Sequence, residues 1–240
     1  MMSTHWFDHV LFAFIGIILP WMSFQSKLHQ DEEGLALEIP SKKQLYYNNF
    51  FLLLIGMLIC LTAWNAGKND WEMLGIAKME KSFIALVAMI LLVLFYLFDG
   101  LFTLKSQKTS ISYFERMKDI IPLTWNEYIS FIPLAIMAGI GEEIIFRAYL
   151  YQYLLTFFPD IVWGPYLAIG ITAIGFSLGH LYQGWIAVVK IFVIAMLFGL
   201  IYVHSKSLIA VVTIHVMIDI FSGMSGIWMN KKLNAKDSTL

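Results

Sequence analysis

Apolar residues gather in long runs along this chain, and most polar and charged residues lie between those runs. Several runs approach the roughly 20 residues that an α-helix needs to cross a bilayer. Backbone polar groups inside a membrane are satisfied only within helices or closed barrels, and runs of this length are typical of helices. The pattern predicts an all-α, polytopic transmembrane helical bundle of about seven spans, over Val10 to Phe24, Tyr46 to Trp64, Phe83 to Leu104, Tyr128 to Tyr149, Pro165 to Leu181, Trp185 to Val203 and Leu208 to Ile227.

The polar stretches divide the chain into three parts. Residues 1–69 hold two membrane spans and a polar loop, residues 70–227 form the core, and residues 228–240 form a polar C-terminal tail. The segment from Tyr113 to Ile121 is amphipathic, which predicts a helix lying in the membrane interface. Thr124 to Glu127 has the spacing of a capping box, so a new helix is predicted to begin there.

The composition indicates a membrane protein and argues against several other classes of protein. Of the 240 residues 59% are hydrophobic and 14% are charged, whereas about a quarter of a soluble domain is charged. The net charge of -1 gives no reason to expect a nucleic-acid partner. The single cysteine, Cys60, excludes an internal disulfide and a cysteine-rich zinc module. No Lys or Arg precedes the first apolar run, which is therefore predicted to stay in the cell membrane rather than to be cleaved as a signal.

The distribution of basic residues predicts an orientation. The larger set of basic residues lies in the loops after spans one and three and in the C-terminal tail, namely Lys27, Lys42, Lys43, Lys105, Lys108, Arg116, Lys118, Lys231, Lys232 and Lys236. The loops on the other side of the membrane hold only Lys68, Lys78, Lys81 and Lys206. Because basic loops stay on the cytoplasmic side, the N-terminus is predicted outside and the C-terminus inside.

An acid pair inside the fourth run is the first candidate for chemistry. Glu142 and Glu143 lie among apolar residues, and ionisable groups at membrane depth are costly and usually functional. Glu143 and Arg147 are four residues apart on one helix face, so they can form an ion pair. Glu142 points about 100° away from Glu143 and remains free to act on water.

Two further apolar runs supply possible partners. His180 ends the fifth run, and His215 shares a helix face with Asp219 in the seventh. Glu142 is the candidate base, and His180 could orient a water molecule or ligate a metal. Asp219 could fix the tautomer of His215.

The residues leave two versions of this site open. In one, Glu142, His180 and His215 are tentative ligands of a catalytic zinc ion with an open fourth position. In the other there is no cofactor, Glu142 and His180 activate water, and His215 helps to form an oxyanion hole. An ionised Asp219 cannot donate to an oxyanion but suits a place behind a ligating histidine, which favours the zinc version.

Three motifs carry a family resemblance. Glu142-Glu143-x-x-x-Arg147, Phe176-x-x-x-His180 and His215-x-x-x-Asp219 resemble, in that order, the motifs of the CPBP intramembrane proteases, the CAAX prenyl endopeptidase type II and bacteriocin-processing (Abi) group. Trp71-x-x-Leu74-Gly75-Ile76 is also similar to a recurrent feature of bacterial members, and the resemblance covers roughly residues 70 to 225. Ala148 stands where glycine is common in the family.

The resemblance implies an intramembrane endopeptidase. Glu142 would be the catalytic glutamate, and His180, His215 and Asp219 would complete the site, with Glu143 and Arg147 from the first motif. The third motif accepts either Asn or Asp, so Asp219 falls within its pattern. The implied partners are the lipid bilayer and a peptide or protein substrate at the membrane.

Other functions also fit parts of the sequence. Intramembrane acids and histidines, with Lys190 in the sixth run, could form the relay of a proton-coupled transporter, although no duplicated halves are evident. The motifs could persist for packing in a catalytically silent scaffold. Gly175-x-Ser177-x-Gly179 matches the nucleophile motif of serine hydrolases, but that motif requires a strand-to-helix turn, and here it lies in a predicted helix.

Overall fold

The structure is a computed structural model that describes residues 1–31, 41–105, 111, 114 and 117–237. These residues form helices joined by turns, and no strand occurs among them. The helices are α1 (Trp6–Ala13), α2 (Leu19–Asp31), α3 (Lys42–Ala66), α4 (Phe83–Lys105), α5 (Trp125–Glu142), α6 (Tyr151–Leu155), α7 (Gly164–Gly179), α8 (Trp185–Ser205) and α9 (Leu208–Asp237). Helix α1 continues into α2 through the π-helical Phe14–Ile18, and α5 continues into α6 through the π-helical Glu143–Leu150. Two short 3₁₀ turns lie at Trp71–Leu74 and Leu181–Gln183.

The helices have the length and composition of membrane spans. Six stretches of the described chain are long and apolar enough to cross a membrane, namely Trp6–Gln25, Lys42–Ala66, Phe83–Gly100, Trp125–Leu155, Trp185–Ser205 and Leu208–Lys232. The shorter apolar helix Gly164–Gly179 coincides with the remaining predicted span. The prediction of a polytopic, all-α membrane protein is confirmed.

Helix α7 is shorter than the other spans. Its 16 residues extend about 24 Å, whereas the hydrocarbon core of a bilayer is about 30 Å thick. The helix is therefore about 6 Å shorter than the hydrocarbon core is thick. Its C-terminal end carries His180, the residue that caps the helix.

The start of α5 follows the predicted capping signal. The Oγ1 atom of Thr124 accepts a hydrogen bond from the backbone N–H of Glu127 at 3.2 Å. The carboxylate of Glu127 in turn accepts from the backbone N–H of Leu123 at 2.7 Å. One contact satisfies a backbone donor of the first helical turn and the other a donor just before the helix, and the prediction of a helix beginning here is confirmed.

Helix α5 occupies the centre of one half of the bundle. It packs between α3 and α9, while α8 packs between α4 and α7, and α2 lies against α7. Helices α5 and α9 approach closely at Gly139, where an added Cβ would lie 2.4 Å from Val216 Cγ2 and 2.9 Å from Val216 N. Since Val216 follows His215, this glycine brings the histidine close to the acid pair.

The Trp71–Leu74 turn anchors the connection between α3 and α4 to the end of the bundle. The turn ends at Gly75, whose left-handed φ of 75° is easily adopted only by glycine. The Gly75 carbonyl accepts a hydrogen bond from Leu208 N at 2.8 Å, and the Met73 carbonyl accepts one from Gln152 Nε2 at 2.8 Å. The turn therefore joins the start of α9 to the α5–α6 helix.

Two predicted segments extend beyond the described residues. Of the predicted interfacial helix from Tyr113 to Ile121, residues 113, 115 and 116 lie outside them, whereas Phe114 and Met117 are described and buried. The predicted C-terminal tail is helical as far as it is described, because α9 continues from Leu208 to Asp237.

Candidate active site

A buried cluster of Glu143, Arg147 and His215 joins the α5–α6 helix to α9. The carboxylate of Glu143 is fully buried, and its Oε1 atom accepts from Arg147 Nη1 at 3.0 Å. The same oxygen lies 2.7 Å from His215 Nδ1. Glu143 and Arg147 thus form the ion pair that their spacing predicts, and the pair also holds the imidazole.

The helix changes its winding at this cluster. The regular α5 ends at Glu142, and the next eight residues, Glu143–Leu150, are π-helical. Long π-helical stretches are rare, and π-helical turns inside α-helices are frequent at functional sites. The change occurs between the two acids, so each carboxylate projects from a differently wound turn.

Glu142 has different surroundings from its neighbour. Its side chain is 15% exposed, against 0% for Glu143, and its Oε2 atom lies 3.7 Å from His215 Nε2. Glu142 and Glu143 therefore approach opposite nitrogens of one imidazole. Glu143 engages Nδ1 at hydrogen-bond distance, while Glu142 lies just beyond that distance from Nε2.

His180 reaches the site from the end of α7. Its Nδ1 atom hydrogen-bonds the backbone carbonyl of Phe176 at 2.8 Å, which leaves Nε2 to face other groups. The ring of Phe176 lies under the Arg147 guanidinium, with Cζ 4.7 Å from the ring centroid. Phe176 thus orients His180 through its backbone and covers the buried cation through its side chain.

Asp219 is near His215 but does not have the position that the sequence suggested. Its Oδ2 atom lies 3.7 Å from His215 Nε2, and its side chain is 28% exposed. The carboxylate at hydrogen-bond distance from His215 is Glu143, on another helix. The orienting contact thus comes from across the bundle, since Glu143 reaches Nδ1 while Asp219 lies on the Nε2 side.

Two buried atoms of the cluster have no hydrogen-bond partner among the described residues. They are Glu143 Oε2 and Arg147 Nη2. A second aromatic ring, that of Phe198, lies 5.4 Å from the guanidinium and 5.3 Å from the His215 ring. The guanidinium of Arg147 and the imidazole of His215 therefore pack against the same aromatic ring.

Ser177 has a contact typical of a packing residue. It is buried within α7, and its hydroxyl donates a hydrogen bond to the carbonyl of Ile174 at 3.0 Å. Its surroundings are helical, without the strand-to-helix turn that the nucleophile motif requires.

A zinc ion would need more ligands than the present arrangement brings together. Both histidines use Nδ1 within the protein and leave Nε2 open, which is the usual pattern of metal-ligating histidines. Within the described part of the chain, however, no group of three or more His, Cys, Asp or Glu is placed to hold a metal ion. The three tentative ligands, Glu142, His180 and His215, do not fit a three-ligand site as they stand.

Two ionisable contacts away from this site were not predicted from the sequence. Lys190 of α8 forms an ion pair with Asp99 of α4. Asp8, in the first turn of α1, is buried and accepts hydrogen bonds from the Tyr149 hydroxyl and from the backbone N–H of His5. The sequence shows each residue alone, and only the packing of the helices shows that each has a partner.

Taken together, the fold and the cluster define a multi-pass helical membrane protein with acids and histidines gathered between three helices. A family model described as Type II CAAX prenyl endopeptidase Rce1-like matches residues 124–221, which include all three motifs. The match confirms that these motifs resemble that family, whose description names an endopeptidase. No curated protein and no solved structure matches the chain.

Proposed function

We propose that this protein is an intramembrane endopeptidase that hydrolyses a peptide bond in a membrane-associated peptide or protein, with Glu142 activating the water. The observation that carries the proposal is the contrast between the two acids. Glu143 is fully buried and bound by Arg147 and His215, whereas Glu142 is partly exposed and 3.7 Å from His215 Nε2. A base must reach water and substrate, and Glu142 is the acid that meets this requirement.

In this proposal the chemistry proceeds by general base catalysis. Glu142 takes a proton from water while the water oxygen forms a bond to the carbonyl carbon of the peptide. The carbon–nitrogen bond then breaks, and Glu142 returns the proton to the leaving nitrogen, so that one water is consumed and two peptide ends are released. His180 accepts a hydrogen bond from the water through Nε2 and orients it.

His215 stabilises the oxyanion in the same scheme. Its Nδ1 is held by Glu143, so Nε2 is the nitrogen that faces the reacting group. An imidazole that donates from both nitrogens carries a positive charge. The carboxylates of Glu142, Glu143 and Asp219, each within 3.7 Å of a ring nitrogen, balance that charge. A cation fixed at this position stabilises developing negative charge without having to reorganise.

The proposal has a zinc form as well as this metal-free form. In the zinc form, Glu142, His180 and His215 would hold the ion, and the ion would polarise the carbonyl and acidify bound water. Within the described part of the chain these residues are not placed to hold a metal ion as they stand, whereas the metal-free form uses the present arrangement.

The test is cleavage of membrane-anchored peptides by the purified protein in liposomes. We expect a set of lipid-anchored fluorogenic peptides to contain at least one that the wild type cleaves, with products identified by mass spectrometry. Glu142→Gln keeps the shape of the side chain and removes the base, and should lower the rate at least about 1000-fold, since base and positioning are lost together. Glu80→Gln, on the exposed pair with Lys206, is the matched control and should leave the rate unchanged.

Three other outcomes of this experiment would contradict the proposal. Cleavage that survives in Glu142→Gln but is lost in Ser177→Ala would favour the serine alternative. Proton flux into the liposomes that depends on Glu142, without cleavage, would favour a transporter. Absence of both activities would favour a silent scaffold.

Metal content separates the two forms of the proposal. About one zinc per chain in the active wild type, lost in His215→Ala, would support the zinc form. An active preparation without zinc would support Glu142 and His180 as the groups that activate water.

A further inference from the structure

Tyr182 lies at the opening of the candidate site. It occupies the Leu181–Gln183 turn that joins α7 to α8, two residues after His180. Its ring centroid is 6.0 Å from that of His180, and 40% of the residue is exposed. A side chain that touches the site histidine and is also exposed can meet a substrate on its way to Glu142.

The hydroxyl of Tyr182 is a neutral hydrogen-bond donor. A phenol has an ordinary pKa of about 10. The phenol therefore keeps its proton at neutral pH.

The geometry of the turn leaves this proton available. Gln183 Nε2 donates a hydrogen bond to the Tyr182 oxygen at 3.0 Å, so the oxygen acts as the acceptor in that contact. A phenol both accepts and donates. Gln183 thus holds the oxygen in place, and the O–H bond can point toward a separate acceptor.

We propose that Tyr182 is a substrate-binding residue of this site, and that its hydroxyl donates a hydrogen bond to a backbone carbonyl oxygen of the peptide beside the scissile bond. The proposal rests on the proposed function and names a contact outside the three motifs. A peptide carbonyl is the suitable acceptor because it is neutral. An anionic group of the substrate would be repelled by Glu142 and Asp219, the two partly exposed acids of the site.

The experiment compares Tyr182→Phe with the wild type on the same lipid-anchored fluorogenic peptide. Removing the hydroxyl should raise KM about tenfold, the value of one neutral hydrogen bond, and change kcat less than about threefold. Tyr47→Phe, an equally simple change at an exposed tyrosine of α3, is the matched control and should alter neither constant. Unfolding temperatures of the variants should agree within about 2 °C, because no packed atom is replaced.

A binding measurement keeps the test independent of turnover. In a Glu142→Gln background, the same peptide should bind about tenfold more weakly when Tyr182→Phe is added, as measured by fluorescence anisotropy. An unchanged KM and an unchanged affinity would overturn the role of Tyr182 while leaving Glu142 as the base. A loss confined to kcat would also overturn it, because the hydroxyl would then act in the chemical step. Cleavage that is insensitive to Glu142→Gln would instead contradict the proposed function itself.

Discussion

Glu142 and Glu143 are neighbours in the sequence with different environments in the fold. One carboxylate is partly exposed and faces His215 Nε2, and the other is enclosed and binds Arg147 and His215 Nδ1. A charged group without water is tolerated only when it is paired and hydrogen-bonded. The Glu143 carboxylate has both kinds of partner on one oxygen, which is why it suits a positioning role rather than a chemical one.

The positioning role of Glu143 can be tested by Glu143→Gln. The amide retains the size of the side chain but no longer balances the charge of His215, and it can present a donor where an acceptor is needed. We expect kcat to fall about 10- to 100-fold with little change in KM, since groups that orient a functional histidine typically contribute this much. Steady-state kinetics on the lipid-anchored peptide measure the effect, and a fall as large as that of Glu142→Gln would argue against a positioning role.

At the scale of elements, the site depends on how closely two helices approach. The turn after Gly139 carries Glu142 and Glu143, and Val216 directly follows His215. The glycine lets the backbones of α5 and α9 approach closely, so that the carboxylates of Glu142 and Glu143 reach the imidazole of His215. The short α7 adds His180 from a third helix, because this histidine is the residue that caps its C-terminal end.

Gly139→Ala tests this close approach. The new Cβ would lie 2.4 Å from Val216 Cγ2 and 2.9 Å from Val216 N, so the helices must separate. We expect a loss of about 1–3 kcal/mol in stability and a loss of most of the peptidase activity, measured by thermal unfolding in detergent and by cleavage. The control is Gly170→Ala on α7, where an added Cβ meets nothing within 4 Å.

The added methyl at Gly170 should leave both stability and activity close to wild type. Gly139→Ala/Val216→Ala should recover part of the lost stability, because the double change removes the side-chain clash and leaves the closer contact with the backbone. Equal behaviour of Gly139→Ala and Gly170→Ala would contradict the role given to this crossing.

At the scale of the whole molecule, the bundle is joined by polar contacts outside the candidate site. The Asp99–Lys190 pair links α4 to α8, and the Trp71–Leu74 turn ties the α3–α4 connection to the bundle end. Both partners of the ion pair are about one-third exposed, and in a span such exposed surface faces lipid or headgroups. The orientation, with the N-terminus outside and the C-terminus inside, stays a prediction from the distribution of lysines.

A double-mutant comparison tests the Asp99–Lys190 pair. Lys190→Met alone leaves an unpaired carboxylate near lipid, and should cost up to about 2.5–3.5 kcal/mol, the value for a lone charge at the centre of a span. Adding Asp99→Asn removes that charge and should restore most of the stability, as followed by thermal unfolding in detergent. If the double variant were less stable than either single one, the pair would contribute more than charge compensation.

Neither change should lower peptidase activity once the protein is folded, because both residues lie outside the candidate site. This expectation separates the pair from the proton relay of the transporter alternative. In a relay, Lys190→Met would abolish the Glu142-dependent flux.

The sequence alone was enough for the class of protein and for most of the helices. Apolar runs of span length predict membrane helices because lipid requires every backbone polar group to be satisfied within its own helix. The start of α5 could be predicted because a capping box is a local signal, made by residues three positions apart. The Glu143–Arg147 pair could also be predicted, since both residues share one helix face.

Contacts between helices were decided by the tertiary structure. His215 could have taken its orienting carboxylate from Asp219 on its own helix, but the crossing at Gly139 brings Glu143 to Nδ1 instead. The pairs Asp99–Lys190 and Asp8–Tyr149 likewise join residues far apart in the chain. Helical periodicity fixes which residues of one helix share a face, whereas the neighbour of that face depends on how all the helices pack, which no local pattern encodes.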